Sequence, residues 1–171
     1  VWTTTLSLTD TGNLTPGVGT MVVVTVTIPV TAECAASDTV TITATSKANP
    51  AVGDSSRLNT SANAVYSVAM APTTATGFGY PGDPVTYTLR VTNTGNCSDT
   101  YTMSRSGAGW PTTFSPLTFS LSTGTGRTVV VTVTIPTTAA FGSQDVATVR
   151  TAGAGTSATS TLTTTAIPPT L

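Results

Sequence analysis

The sequence predicts an all-β chain of the immunoglobulin-like sandwich class, on three observations. Hydroxyl-bearing residues dominate: 43 of the 171 residues are Thr and 16 are Ser, while 8% are charged. Threonine is β-branched, which favours a strand, and its hydroxyl meets water without adding charge. Apolar and polar residues alternate with a period of two through much of the chain, and no stretch carries a helical period. Finally, the chain repeats itself: the octapeptide VVVTVTIP occurs at 22–29 and again at 129–136, an offset of 107 residues.

The repeat extends beyond the octapeptide. Trp2-Thr3-Thr4-Thr5 falls against Trp110-Pro111-Thr112-Thr113 at an offset of 108. Asp38-Thr39-Val40-Thr41-Ile42 falls against Asp145-Val146-Ala147-Thr148-Val149 at 107. Leu58 falls against Leu162 at 104, which implies a slightly shorter loop in the second copy. A repeat of about 105 residues is the size of an immunoglobulin-like sandwich. The second copy runs over 63–166 and predicts a complete sandwich. The first copy begins at the equivalent of Trp110 and has no counterpart of 63–109. Residues 1–62 therefore read as the C-terminal part of a sandwich, to be completed by strands from another chain or from upstream sequence. Residues 167–171 read as a tail or linker.

The elements follow in order. In the first copy an extended start covers 4–9, and strands are expected near 20–28, 38–45 and 56–62. In the second copy they are expected near 65–71, 84–93, 99–105, 117–121, 128–135, 145–151 and 157–165. Over 84–93 the apolar set is Val85, Tyr87, Leu89 and Val91; over 128–135 it is Val129, Val131, Val133 and Ile135. The residues between them are mostly Thr, which suits one buried and one wet face. Tyr80-Pro81-Gly82-Asp83 and Asn93-Thr94-Gly95-Asn96 are turn signals. Seven short strands between such turns make a sandwich.

A resemblance enters here. Val65-Tyr66-Ser67-Val68, Pro81 to Leu89, Val91-Thr92-Asn93-Thr94-Gly95-Asn96, Asp99-Thr100-Tyr101, Gly109-Trp110-Pro111 and the VTVTIP strings resemble tandem bacterial cell-surface immunoglobulin-like repeats. These are related to the cell-adhesion (CARDB-type) and alpha-galactosidase-associated domains. The resemblance covers the second copy and the latter half of the first. It implies a stalk, spacer or adhesive module and brings no catalytic residues with it.

Charge and chemistry exclude more than they assign. The formal net charge is −1 and there is no His, so the commonest general base and metal ligand is missing. The six cations Lys47, Arg57, Arg90, Arg105, Arg127 and Arg150 are scattered, unlike the clustered patch of a nucleic-acid binder. No apolar run approaches the length of a membrane span. The acids Asp10, Glu33, Asp38, Asp54, Asp83, Asp99 and Asp145 are spread along the chain, in or beside expected turns. Turn capping is the expectation, ahead of a glycosidase pair or a calcium site. Gly77-Phe78-Gly79 is no phosphate loop, because no helix follows it. Trp2 and Trp110 hold equivalent repeat positions, which favours a structural role over sugar stacking. The expectation is no enzyme, cofactor or metal.

The low charge and the two cysteines suit an extracellular or cell-surface protein. Three readings stand for Cys34 and Cys97: both free, with Phe141 filling the space in the second copy; a disulfide within the chain; or pairing of Cys34 with the Cys97 equivalent of another chain or of an upstream domain. Sequons place candidate glycans at Asn13, Asn59 and Asn96. An unfinished sandwich leaves the inner face of Val22, Val24, Val26, Ile28, Val40 and Ile42 open, with about 10 kcal/mol of burial at stake. That face is the candidate assembly site. The candidate donor is a neighbouring copy's N-terminal segment carrying Trp2, Leu6 and Leu8, its tail around 167–171, or upstream sequence. The expected function is a subunit of an extracellular filament, pilus-like fibre or surface stalk, polymerised head to tail with copies of itself. The alternative is an adhesive or carbohydrate-binding accessory module whose partners are surface glycans.

Overall fold

The computed structural model describes residues 1–107 and 109–168. These residues are strand, turn or loop throughout, and the chain divides into two compact units, Val1–Asn63 and Ala64–Leu171.

The second unit is a nine-stranded sandwich. Its strands are β5 (Val68–Ala71), β6 (Thr74–Gly79), β7 (Pro84–Asn93), β8 (Asp99–Ser106), β9 (Thr112–Ser115), β10 (Thr118–Leu121), β11 (Gly126–Thr134), β12 (Gln144–Ala152) and β13 (Ser157–Ala166). One sheet has the order β10-β8-β12-β13-β6 and the other β5-β7-β11-β9. Every pairing is antiparallel except β13 with β6, which is parallel. The alternation places Leu89, Val91, Val129, Val131, Val133, Ile135, Val149 and Leu162 between the sheets with no exposed surface, around the ring of Tyr101. Seven strands are expected from the alternation, and the two additional ones are β6 and β9. The expected strand at 65–71 shortens to β5, because 65–67 lie against the 93–96 turn instead: Asn96 N donates to the Val65 carbonyl at 2.9 Å and Thr94 N to that of Ser67 at 3.0 Å.

The first unit has four strands: β1 (Thr3–Leu6), β2 (Val24–Thr27), β3 (Ser37–Thr45) and β4 (Gly53–Ser61). They form two separate two-stranded antiparallel sheets, β1-β2 and β3-β4. Residue by residue these strands reproduce β9, β11, β12 and β13. Leu6 stands opposite Val24, Thr5 opposite Thr25 and Thr4 opposite Val26, as Phe114 does to Val131, Thr113 to Thr132 and Thr112 to Val133. Val40 faces Leu58 as Ala147 faces Leu162. The loops agree as well. Trp2 N donates to Asp38 Oδ2 at 3.0 Å, and Trp110 N to Asp145 Oδ1 at 3.2 Å. Ala35 N donates to the Ala62 carbonyl at 3.1 Å, and Gly142 N to that of Ala166 at 2.8 Å. Both Ala35 (φ 61°) and Gly142 (φ 81°) are left-handed there.

The two units differ in what they bury. Ala62 is the one buried hydrophobic residue of the first unit among the described residues. Two strands in each of two sheets cannot close over a core, and the alternating apolar face stays half-covered.

Candidate functional site

The candidate assembly face is built from β2, its approach and β3. Val22, Val24, Val26, Val40 and Ile42 are half-buried, and Ile28 is 40% exposed. Their equivalents Val129, Val131, Val133, Ile135, Ala147 and Val149 are at most 1% exposed. The side chains are almost the same in the two units, so the difference lies in the neighbours. In the second unit β11 pairs with β7 on one edge and β9 on the other, and β12 with β8 and β13. In the first unit β2 pairs only with β1, and β3 only with β4. The expected strand at 20–28 therefore shortens to Val24–Thr27, the part that β1 can reach.

The candidate donor segment is already placed. β1 lies on β2 of its own unit, and Ser7 N extends the pairing to the Val23 carbonyl at 2.9 Å. Trp2 is half-buried beside Asp38, while Leu6 and Leu8 are exposed. In this chain the segment holds the position that β9 has in the second unit. The tail shows the same at its start, where Ile167 N donates to the Gly79 carbonyl at 2.9 Å. The rest of the tail expected as donor, 169–171, lies outside the described residues.

The cysteines follow one part of the expectation. Neither is free, and Cys34 and Cys97 are both disulfide-bonded. Phe141 does not fill the place of Cys34 in the second unit, being 61% exposed. The sequon residues Asn13 and Asn59 are exposed; Asn96 is half-buried, with its Oδ1 accepting from Val65 N at 2.7 Å.

The acids cap loops. Asp83 Oδ2 accepts from Tyr80 N at 2.9 Å, and Asp99 takes Thr100 N at 2.7 Å and Ala154 N at 3.0 Å. Asp145, 5% exposed, takes Gly109 N at 2.6 Å through Oδ1. Asp10 pairs with Lys47 on the surface. The hydrogen bond from Lys47, then that from the Gly12 N–H, holds the Asp10 carboxyl below the ordinary range. Burial raises the phenols of Tyr87 and Tyr101 above theirs. Among the described residues no three His, Cys, Asp or Glu side chains converge as metal ligands would. An open cleft on the second unit is lined by Tyr66, Ser98, Asp99, Thr100, Ser120 and Ala154. Its carboxylate is taken up by backbone N–H groups. Trp110 packs partly against the core.

Comparison with known proteins gives one family match and several distant structural likenesses. Among curated proteins none matches this chain. Human CEP192 PapD-like domain 7 superposes at a TM-score of 0.49 with 15% identity, over 60% of this chain and 87% of that one. The CupB2 chaperone of Pseudomonas aeruginosa gives 0.47 and 10%, over 57% of this chain and 55% of its own. The Escherichia coli chaperone DraB gives 0.46 and 14%, over 61% and 56%. The VWA7 Ig-like domain family matches residues 68–168, from the first strand of the second unit to just beyond the last. That span is more than half of the chain, which therefore belongs to the VWA7 Ig-like domain family.

Proposed function

We propose that this chain is a structural module of an extracellular filament or cell-surface stalk, assembled head to tail by strand complementation. The observation that carries the reading is the contrast between two sets of equivalent side chains. Val129, Val131, Val133 and Ile135 are fully buried under neighbouring strands, while Val22, Val24, Val26 and Ile28 keep an open edge and a half-covered face. Open strand edges are templates for further strands, and added strands supply both backbone hydrogen bonds and side-chain cover. The disulfide-bonded state of both cysteines suits an oxidising compartment. The resemblance to tandem cell-surface repeats points the same way, and the role is non-catalytic. Electron microscopy of the native material on its producing cells is the test. Periodic fibres or stalks are expected; isolated globular particles would defeat the reading.

A second reading, an adhesive module, rests on the open cleft beside Tyr66, where an exposed aromatic ring stands among hydroxyls. Glycan-array binding that is lost on Tyr66→Ala would favour it.

A further inference from the structure

We infer that the occupant of the first unit's open edges is a β5–β8 segment of this same repeat type, docking in the register that β6, β7 and β8 hold in the second unit. The inference rests on the strand-complementation reading and names its partner. Position-by-position agreement of β1–β4 with β9, β11, β12 and β13 makes the second unit a template for what covers the first.

The first unit has four open strand edges, and three of them, the far edge of β2 and the outer edges of β3 and β4, have covered counterparts in the second unit, while β1 is an outer strand as β9 is. In the second unit the corresponding edges are taken by β7, β8 and β6 respectively. These strands are consecutive in sequence with β5, which pairs with β7, so one continuous segment supplies all three. The registers transfer directly. Val133, Val131 and Val129 face Val85, Tyr87 and Leu89, so Val26, Val24 and Val22 take the same three partners. Thr148–Ala152 pair antiparallel with Thr102–Ser106, which places a β8 strand against 41–45. Thr161–Ala166 pair in parallel with Thr74–Gly79, which places a β6 strand against 57–62.

The chemistry of the occupant follows from that register. It presents Val, Tyr, Leu and Val at alternate positions towards the open valines, and Thr or Arg outwards, as Val85, Tyr87, Leu89 and Val91 do. Its β6 strand carries small residues, because a Cβ on Gly77 would lie 2.6 Å from Val85 Cγ1. A folded second copy cannot provide it, since its own β7 is already held between β5 and β11. Docking also lengthens β2. Gly126–Thr134 all pair with β7, so 19–23, outside β2 in the structure, join it when the segment binds.

The probe is a synthetic peptide with the sequence of residues 64–107, added to the full chain and followed by amide hydrogen exchange and titration calorimetry. One-to-one binding is expected, with exchange at 20–28 and 41–45 slowed about tenfold or more as those amides gain partners. A control peptide in which the equivalents of Val85, Tyr87 and Leu89 are Asn should not bind. Val24→Asp in the chain should weaken the wild-type peptide at least tenfold without altering exchange in β11. Absence of binding, or equal binding of the control peptide, overturns the inference. Should the chain alone form oligomers that the peptide fails to dissociate, the occupant is a second copy; the inference is then wrong while strand complementation stands. If neither peptide binding nor self-association occurs, both fall.

Discussion

At Val131 one carboxylate should decide whether the second unit folds. The side chain has no exposed surface and lies on the central β11, between β7 and β9. Val131→Asp buries an unpaired charge, so a loss of more than about 4 kcal/mol in denaturant unfolding is expected. Thr132 is half-buried on the other face of the same strand, between Thr86 and Thr113. Thr132→Asp should cost about 1 kcal/mol, and equal losses at the two positions would refute the one-sided burial. Ala35 offers the opposite sign. It holds a left-handed φ of 61° where the second unit has Gly142, and an L side chain pays about 1–2 kcal/mol there. Ala35→Gly should stabilise the first unit by about 1 kcal/mol, net of the added freedom of the unfolded chain. Tyr87 sets an alkaline limit. Its hydroxyl donates to the Thr163 carbonyl at 3.0 Å, and burial raises its phenol above the ordinary value. An unfolded tyrosine ionises near pH 10, so just above that the native state holds more protons than the unfolded one, and stability falls as pH rises. The stabilisation is complete below pH 10. Unfolding followed from neutral pH upwards should show this decline, and Tyr87→Phe should flatten it; stability rising above pH 10 would contradict the burial of the phenol.

The strands β2 and β11 have nearly the same sequence and different neighbours, which makes their amides the sharpest comparison among elements. β11 is bonded along one edge to β7 and along part of the other to β9. β2 is bonded to β1 alone over Val24–Thr27. Hydrogen exchange of the isolated chain should therefore protect β11 strongly and leave the outward amides of 20–28 exchanging near the rate of unstructured peptide. Equal protection would mean that the far edge of β2 is covered. The same pair shows what a sequence can and cannot disclose. Alternation at 20–28 and 128–135 is legible because it belongs to the side chains, so both stretches read as strands of one kind. The length of β2 belongs to its neighbours, and Val22 could not reveal that no strand lies beside it. β9 escapes a periodicity reading because Phe114 is the one large apolar residue of Thr112–Ser115. β6 escapes it because Gly77 and Gly79 replace apolar side chains there. A Cβ at Gly77 would come within 2.8 Å of the Tyr87 hydroxyl, so close packing demands the residue that weakens the strand signal. The segment of Trp2, Leu6 and Leu8, the candidate donor of a neighbouring copy, lies on β2 of its own unit in this chain. Its equivalence to the segment after Trp110 is legible in the repeat, whereas its pairing with β2 shows only in the structure.

For the molecule as a whole, the unequal burial of the two units predicts unequal stability. The second unit closes two sheets over a core that includes Leu89, Tyr101, Val131 and Leu162, whereas the first has Ala62 as its one buried hydrophobic among the described residues. Burial of an aliphatic side chain contributes about 1.5–3 kcal/mol. Six half-covered side chains thus withhold an amount comparable with the 5–15 kcal/mol net stability of a whole domain. The chain alone should therefore unfold in two steps, the first unit at low denaturant and the second well above it. The tryptophans separate the steps, since Trp2 sits in the first unit beside Asp38 and Trp110 in the second beside Asp145. With Trp110→Phe, fluorescence should report the early transition alone, and with Trp2→Phe the late one alone. A single coincident transition in both variants would mean that β1–β4 are as firmly held as the complete sandwich, and would remove the physical need for added strands. Two transitions, of which only the early one moves to higher denaturant when the 64–107 peptide is added, would identify the first unit as the part that waits for its missing strands.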